Sequence, residues 1–391
     1  MTLTASDRVS DRLYERARRH LPGGNSRTTV FVEPHPPYAR RGHGCYVEDV
    51  DGHETIDLQN NYTALIHGHN RPEVTEAAER AIADGACFGL PTESEIEMAE
   101  LLSLRVGWAT RWRFANSGTE AVMMAIRLAR AATGRPGIVR FEGAYHGSYD
   151  AAMMPGAAGV PESVAADVHA VPLGDLDAVR EALDRNEGRI ACVLFDAMPN
   201  RAGLRPAEPE FVTGLRELTA ERGVLLVQDE VLTFRVGYGG LHSLYGIEPD
   251  LITVGKVVGG GFPVGAFGGR PELMDRFDPR RSEALPHGGT FSANPVTMAA
   301  GVAALRLYDE AEVERLNALG DRLRRSLAVQ GWRVTGRGSL VRVHSDDPEE
   351  TWWRLYRAGL LLCGNGLACL STPMDEAVLE TIEERFEAAR G

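Results

Sequence analysis

Apolar residues recur along this chain with two periods, and the switches between them outline its architecture. Helical spacing over residues 7–21 stops at Pro22-Gly23-Gly24. A proline-rich extended stretch, Phe31 to Tyr38, follows. From Gly44 to Asp57 the pattern predicts a small antiparallel sheet, with Asp51-Gly52 as a hairpin turn. Beyond about residue 70, short apolar strands at 137–141, 190–196, 223–228 and 250–254 alternate with helical stretches at 92–106, 118–132, 175–187 and 208–222. Such alternation predicts a largely parallel sheet covered on both faces. Residues 295–329 read as a long helix with a break near Glu310. Residues 331–391 mix short strands with a final helix, as a second, smaller domain would. No repeat or long linker interrupts the chain.

Composition narrows the picture by exclusion. A length of 391 residues suggests one large domain plus a smaller one. The formal net charge of −13 argues against nucleic acid as the main partner, because phosphate backbones need a basic surface. It leaves room for a small anion in a local basic pocket. No apolar run approaches the roughly 20 residues of a membrane helix. The N-terminal residues lack the apolar core of a secretion or transit signal. Cys45, Cys87, Cys192, Cys363 and Cys369 are odd in number and form no Cys-x-x-Cys pair, so neither a disulfide framework nor a zinc site is expected. A cytoplasmic protein is the expectation. His67-Gly68-His69 has no third ligand nearby in sequence and reads as a loop, so no metal is expected.

One feature of the composition points to chemistry. Of 42 basic residues all but one are arginine, and the exception is Lys256. Arginine can replace lysine wherever charge alone matters. It cannot lose its proton and attack a carbonyl, whereas a lysine amine can. Lys256 follows the strand 250–254, and the strand 223–228 runs into Asp229. The segment 113–119, Arg-Phe-Ala-Asn-Ser-Gly-Thr, leads from a short apolar piece into a helix. Ligands of parallel sheets bind at the carboxyl ends of the strands. An amine, an acid and a helix N-terminus would therefore meet at one sheet edge. Pyridoxal 5′-phosphate (PLP) needs such a set: an amine for its aldehyde, a carboxylate for its pyridinium nitrogen, and N–H groups for its phosphate. Taken singly, Asp229 could be a loop cap and Ser117-Gly118-Thr119 an ordinary N-cap. Competing phosphate motifs fail, since Gly255-Lys256 is followed by Val257 and no dinucleotide fingerprint follows a strand.

With these residues in view, the chain resembles the class III aminotransferases of PLP fold type I. It is similar to the branch containing glutamate-1-semialdehyde aminomutase and the β-phenylalanine-type aminotransferases. The matching stretches are LPGGNSRT (21–28), DVDGHETIDL (49–58), NYTALIHGHNRPEV (61–74), RFANSGTEAVMMAIRLAR (113–130), FEGAYHGSYD (141–150), QDEVLTFRVGYGG (228–240), PDLITVGKVVGGGFPVGAFGGR (249–270) and GGTFSANPVTMAAG (288–301). The resemblance implies an α/β fold whose large domain has a mainly parallel seven-stranded sheet flanked by helices, beside a small α+β domain. The implied division is an N-terminal segment 1–60 packing with the small domain, a large domain 61–300 and a small domain 301–391.

Residue roles follow from the same resemblance. Lys256 matches the Schiff-base lysine and proton shuttle, Asp229 the pyridinium partner, and Val231 the residue on one ring face. Tyr145 matches the aromatic on the other face, with His146 beside it. Ser117, Gly118 and Thr119 match the phosphate cradle. Thr290 matches a threonine that reaches the phosphate of the neighbouring subunit, which implies a homodimer. Arg27 matches the arginine that holds a substrate carboxylate in the β-phenylalanine-type enzymes; in the aminomutase that stretch reads Asn-Ser-Pro-Val-Arg. Tyr62 matches a pocket position. Glu120 reads equally well as a helix first-turn acid and as a direct contact. The run Asp196-Ala-Met-Pro-Asn-Arg-Ala-Gly departs from the usual Glu-Pro and Gly-containing turn, Asp229-Glu-Val-Leu-Thr-Phe-Arg lacks a residue often found before Phe-Arg, and the C-terminal domain is short.

The function so implied is transfer of an amino group from a small-molecule donor to a keto-acid acceptor, with a β- or ω-amino acid among the candidates. An aminomutase or epimerase on the same scaffold is the alternative. A fold that has lost catalysis is the third reading, and the intact lysine, aspartate and cradle argue against it.

Overall fold

The computed structural model describes residues 8–390. The start of the expected helix at residue 7 lies outside them, and the observed helix is Val9–Ala17. The chain divides into two compact units, one formed by 1–72 with 315–391 and the other by 73–314. These boundaries differ from the 60/61 and 300/301 of the sequence reading.

The second unit is built on one seven-stranded sheet. Its strands are β1 (Arg111–Ala115), β2 (Gly137–Phe141), β3 (Val168–Val171), β4 (Ile190–Phe195), β5 (Leu225–Asp229), β6 (Leu251–Gly255) and β7 (Gly265–Gly269). The spatial order is β1-β7-β6-β5-β4-β2-β3. Only β7 runs antiparallel to its neighbours. Strands β2, β4 and β6 are buried along their whole length, which accounts for their largely apolar composition. The helices are α1 (Glu93–Val106), α2 (Gly118–Thr133), α3 (Leu176–Arg185), α4 (Pro209–Glu221) and α5 (Pro295–Leu307). Helix α2 presents Ala121, Val122, Ala125, Leu128 and Ala129 to a core shared with Ile138, Leu194, Val227 and Phe267. The helical stretch 295–329 is broken where the sequence suggests, near Glu310, into α5 and Glu310–Val329. Asp309 starts the second by accepting the Glu312 N–H at 2.9 Å.

Strand β7 was not legible, because Gly-Ala-Phe-Gly-Gly has poor strand propensity. The glycines are there for space. A Cβ on Gly265 would collide with the Ser117 carbonyl, and one on Gly268 with the Trp112 ring. Close backbone approach recurs where α5 lies on the turn after Lys256. A Cβ on Gly301 would collide with the Val258 carbonyl and the Met98 methyl.

In the first unit, Ala39–His43, Tyr46–Asp49 and Glu54–Asp57 form an antiparallel meander, and Leu360–Leu361 joins it parallel to the third strand. A second sheet pairs Arg333–Thr335, Leu340–His344 and Leu367–Cys369 antiparallel. His69 bonds Asp57 at 2.8 Å and His67 bonds Thr372 at 2.9 Å. Among the described residues no helix is long and apolar enough to cross a membrane.

Gly301→Ala should push α5 off the lysine turn. Overpacking of this kind costs about 1–3 kcal/mol. The expected result is a lower Tm by calorimetry, and an unchanged Tm would contradict the close contact.

Candidate active site

The carboxyl ends of β5 and β6, the loop after β2 and the start of α2 carry the candidate residues. Asp229 closes β5 and is only 5% exposed. A charge in such a place needs donors, and three segments supply them. His146 Nδ1 lies 2.7 Å from Oδ2, the Val231 N–H donates to Oδ1 at 3.0 Å, and the Thr253 hydroxyl of β6 donates to Oδ1 at 3.1 Å. Burial raises the carboxyl's pKa. The His146 bond and charge, the Val231 N–H and the Lys256 charge outweigh it and hold the pKa below its ordinary value. Asp229 is therefore ionised at neutral pH. A depressed folded pKa stabilises above the unfolded value, near 3.9, and that contribution is lost as pH falls through the folded value.

Lys256 directly follows β6 and has a φ of 52°. A left-handed conformation costs a non-glycine residue roughly 1–3 kcal/mol, and such strain clusters at functional sites. Val231 touches the ideal Cβ positions of both Gly118 (2.9 Å) and Gly255 (3.4 Å), so it packs between the start of α2 and the residue before the lysine.

Ser117 N-caps α2, its Oγ accepting the Glu120 N–H at 3.2 Å. The Glu120 carboxylate reaches back to the Asn116 N–H at 2.6 Å. This reciprocal pattern resembles a capping box and gives Glu120 a structural task. The Gly118 and Thr119 N–H groups have no protein acceptor among the described residues. They stand at the positive end of a 16-residue helix, where an anion is favoured. Gly147, with φ of 91°, lets the Tyr145 loop pass against the Thr119 side chain.

His146 is buried, and its Nε2 has no partner among the described residues. Tyr145, by contrast, is 49% exposed, with the Arg201 guanidinium 4.1 Å from its ring centroid. Buried Arg140 of β2 donates to the Ala144 and Ala152 carbonyls and so ties down the loop carrying Tyr145. Burial, then the Arg201 charge, lowers the Arg140 pKa to about 10, which leaves it a cation at neutral pH. Buried Glu230 accepts from Thr233, the Leu241 N–H (3.0 Å) and the His242 N–H (2.7 Å), and fixes the segment after Asp229. Sequence reasoning missed Arg140, Glu230 and Thr253 as supports. An arginine inside the apolar run Gly-Ile-Val-Arg-Phe was the one visible signal.

Thr290 is exposed, and its carbonyl accepts the Cys87 thiol at 3.7 Å. Arg27 and Tyr62 belong to the first unit. Arg27 donates to the Asn61 side chain at 2.7 Å, and its guanidinium lies 5.9 Å from the Tyr62 ring centroid. No carboxylate among the described residues pairs with Arg27.

These residues fit PLP. A buried carboxylate is kept ionised, an imidazole nitrogen is orphaned beside it, a strained lysine follows the next strand, and unclaimed N–H groups open a helix. A mainly parallel sheet bearing this set at its carboxyl edge defines a PLP enzyme of fold type I. Comparison with known proteins agrees. The model of the family "Aminotransferase class-III" matches residues 30–375. Glutamate-1-semialdehyde 2,1-aminomutase of Methanothermobacter thermautotrophicus is 42% identical over 351 residues, 86% of this chain and 83% of that protein. The crystal structure of an omega-transaminase from Sphaerobacter thermophilus superposes with a TM-score of 0.94 at 44% identity, covering 98% of each chain. A beta-phenylalanine aminotransferase from Variovorax paradoxus gives 0.90 at 34%, covering 97% of this chain and 93% of that one. A transaminase of the same fold has been solved with PLP bound. The chain belongs to the class III aminotransferase family, and PLP is its cofactor.

His146→Ala removes the strongest support of the Asp229 charge. Loss of a hydrogen bond to a charged group costs about 1.5–3 kcal/mol. PLP affinity, measured by equilibrium dialysis, should fall roughly tenfold or more. Undiminished affinity in a folded variant would remove His146 from the support of the site.

Proposed function

We propose that this protein is an aminotransferase that moves an amino group between an amino acid whose amine is not α to its carboxylate and a keto acid. The observation that carries this reading is the match to an omega-transaminase along 98% of both chains, at 44% identity. Bound PLP supplies an electron sink and a temporary carrier for the amino group. The Lys256 amine would hold the cofactor at its aldehyde end and, as a free base, would carry the proton to and from the substrate carbon. Asp229, kept ionised, holds the proton of the ring nitrogen. Ser117, Gly118 and Thr119 hold the phosphate. Val231 and Tyr145 pack the two ring faces, with His146 positioning Asp229. Arg27 orients the substrate carboxylate through its planar fork, and Tyr62 lines the pocket beside it. The absence of a carboxylate partner for Arg27 among the described residues supports that role.

A homodimer with shared sites belongs to this reading, with Thr290 reaching the partner's phosphate site. Exposed Phe88, Leu90 and Phe291 lie on the two segments that meet at the Cys87–Thr290 contact, as a covered surface would require.

The second reading is an aminomutase that retains its amino group carrier, and the 42% identity to glutamate-1-semialdehyde 2,1-aminomutase favours it. The two part on product release. With β- and ω-amino donors and a keto-acid acceptor, the expected outcome is stoichiometric release of a new keto compound, read by chromatography. Isomerisation of an amino substrate with no keto compound released would select the aminomutase. In either case Arg27→Ala should raise KM by about tenfold or more while the visible spectrum stays unchanged, as loss of a charged hydrogen bond implies. An unchanged KM would assign the carboxylate to another anchor.

A further inference from the structure

Asp196 is the residue directly after β4. The β4–β5 register pairs Phe195 with Gln228, so Asp196 and Asp229 stand side by side at the ends of adjacent parallel strands. Asp196 is only 6% exposed. Two carboxyl groups in one poorly hydrated place do not both ionise readily. The donors decide which one keeps the charge. Asp229 receives three, from His146, Val231 and Thr253. Asp196 receives one, the Met198 N–H to Oδ1 at 2.9 Å. Its second oxygen has no protein partner among the described residues. The ionisable groups facing it are Asp229, Glu230 and Lys256, two acids against one base. Burial first, then the Asp229 charge, push its carboxyl well above the ordinary value; Glu230 adds to this, while the Met198 N–H and Lys256 oppose it.

We propose that Asp196 is a neutral carboxylic acid beside the ionised Asp229, and that its O–H is a hydrogen-bond donor for the anionic ring oxygen of PLP. Asp229 has no free need of that proton, since its oxygens already accept from three donors. The ring's phenolic oxygen is the acceptor class that such a donor fits. Asp196 is thus a positioning residue that restricts the negative charge facing the ring nitrogen to one carboxylate and steadies the ring from a second strand. Because its folded pKa is raised, the donor form is present at low and neutral pH and is lost as pH rises through the folded value. The choice of acceptor rests on the PLP reading; the protonation of Asp196 does not.

The first test is infrared difference spectroscopy of cofactor-free wild type against Asp196→Asn at pH 7. The expected difference is a protonated-carboxyl band present only in wild type. Loss of a carboxylate band instead, or no difference, would overturn the neutral acid. Asp196→Ser, also uncharged, carries the same comparison if the Asn variant does not fold. The second test loads the proteins with PLP and follows the visible band with pH. A donor to the ring oxygen favours its charged form, so Asp196→Ala should raise the midpoint by roughly one pH unit or more. Asp196→Asn, which keeps a donor, should stay close to wild type. Equal shifts in both variants, or none, would overturn the donor role. Absence of a visible band in wild type would overturn it together with the PLP reading, and the infrared result would still stand by itself.

Discussion

A carboxylate kept charged at a buried strand end is the constraint around which this site is organised. Leaving such a charge unpaired would cost several kcal/mol. The Asp229 carboxylate is instead met by an imidazole from the loop after β2, a backbone N–H of its own loop, and a hydroxyl of β6. Only a fold that brings strands distant in sequence to one edge can assemble those donors. The doubly covered sheet does so, and it sets Lys256 directly after the next strand and the N-terminus of α2 beyond it. Each support is secured in turn. Arg140 ties the loop of His146, Glu230 fixes the turn after Asp229, and Gly301 lets α5 press on the lysine turn.

Much of this was legible in the sequence where one chemical or periodic signal dominated. The fully buried strands β2, β4 and β6 announced themselves as apolar runs, and α2 began where Ser117 and Glu120 mark an N-cap. Lys256 stood out because every other basic residue is arginine. What stayed hidden depended on tertiary space or on partners far along the chain. Strand β7 is glycine-rich because the Ser117 carbonyl and the Trp112 ring occupy the room a side chain would need. Thr253 supports Asp229 from 24 residues away, and Arg140 and Glu230 also reach partners 11–12 residues off, Ala152, Leu241 and His242.

Lys256, Asp229 and the α2 N-terminus lie in the unit 73–314, whereas Arg27 and Tyr62 lie in the other. Transaminases and an aminomutase both resemble this chain, as expected if the PLP-binding set is common to them and the surrounding residues differ. The run from Asp196 to Gly203 is one such surrounding segment, and its Arg201 and Ala202 lie against the Tyr145 loop.

The central claim is that Lys256 holds PLP covalently. The most direct measurement is borohydride reduction of the PLP-loaded protein, followed by intact-mass and peptide mass spectrometry. The account predicts one pyridoxyl group per chain, located on the peptide containing Lys256, the sole lysine of the sequence. An unmodified Lys256 peptide, or a label confined to the N-terminal amine, would contradict it.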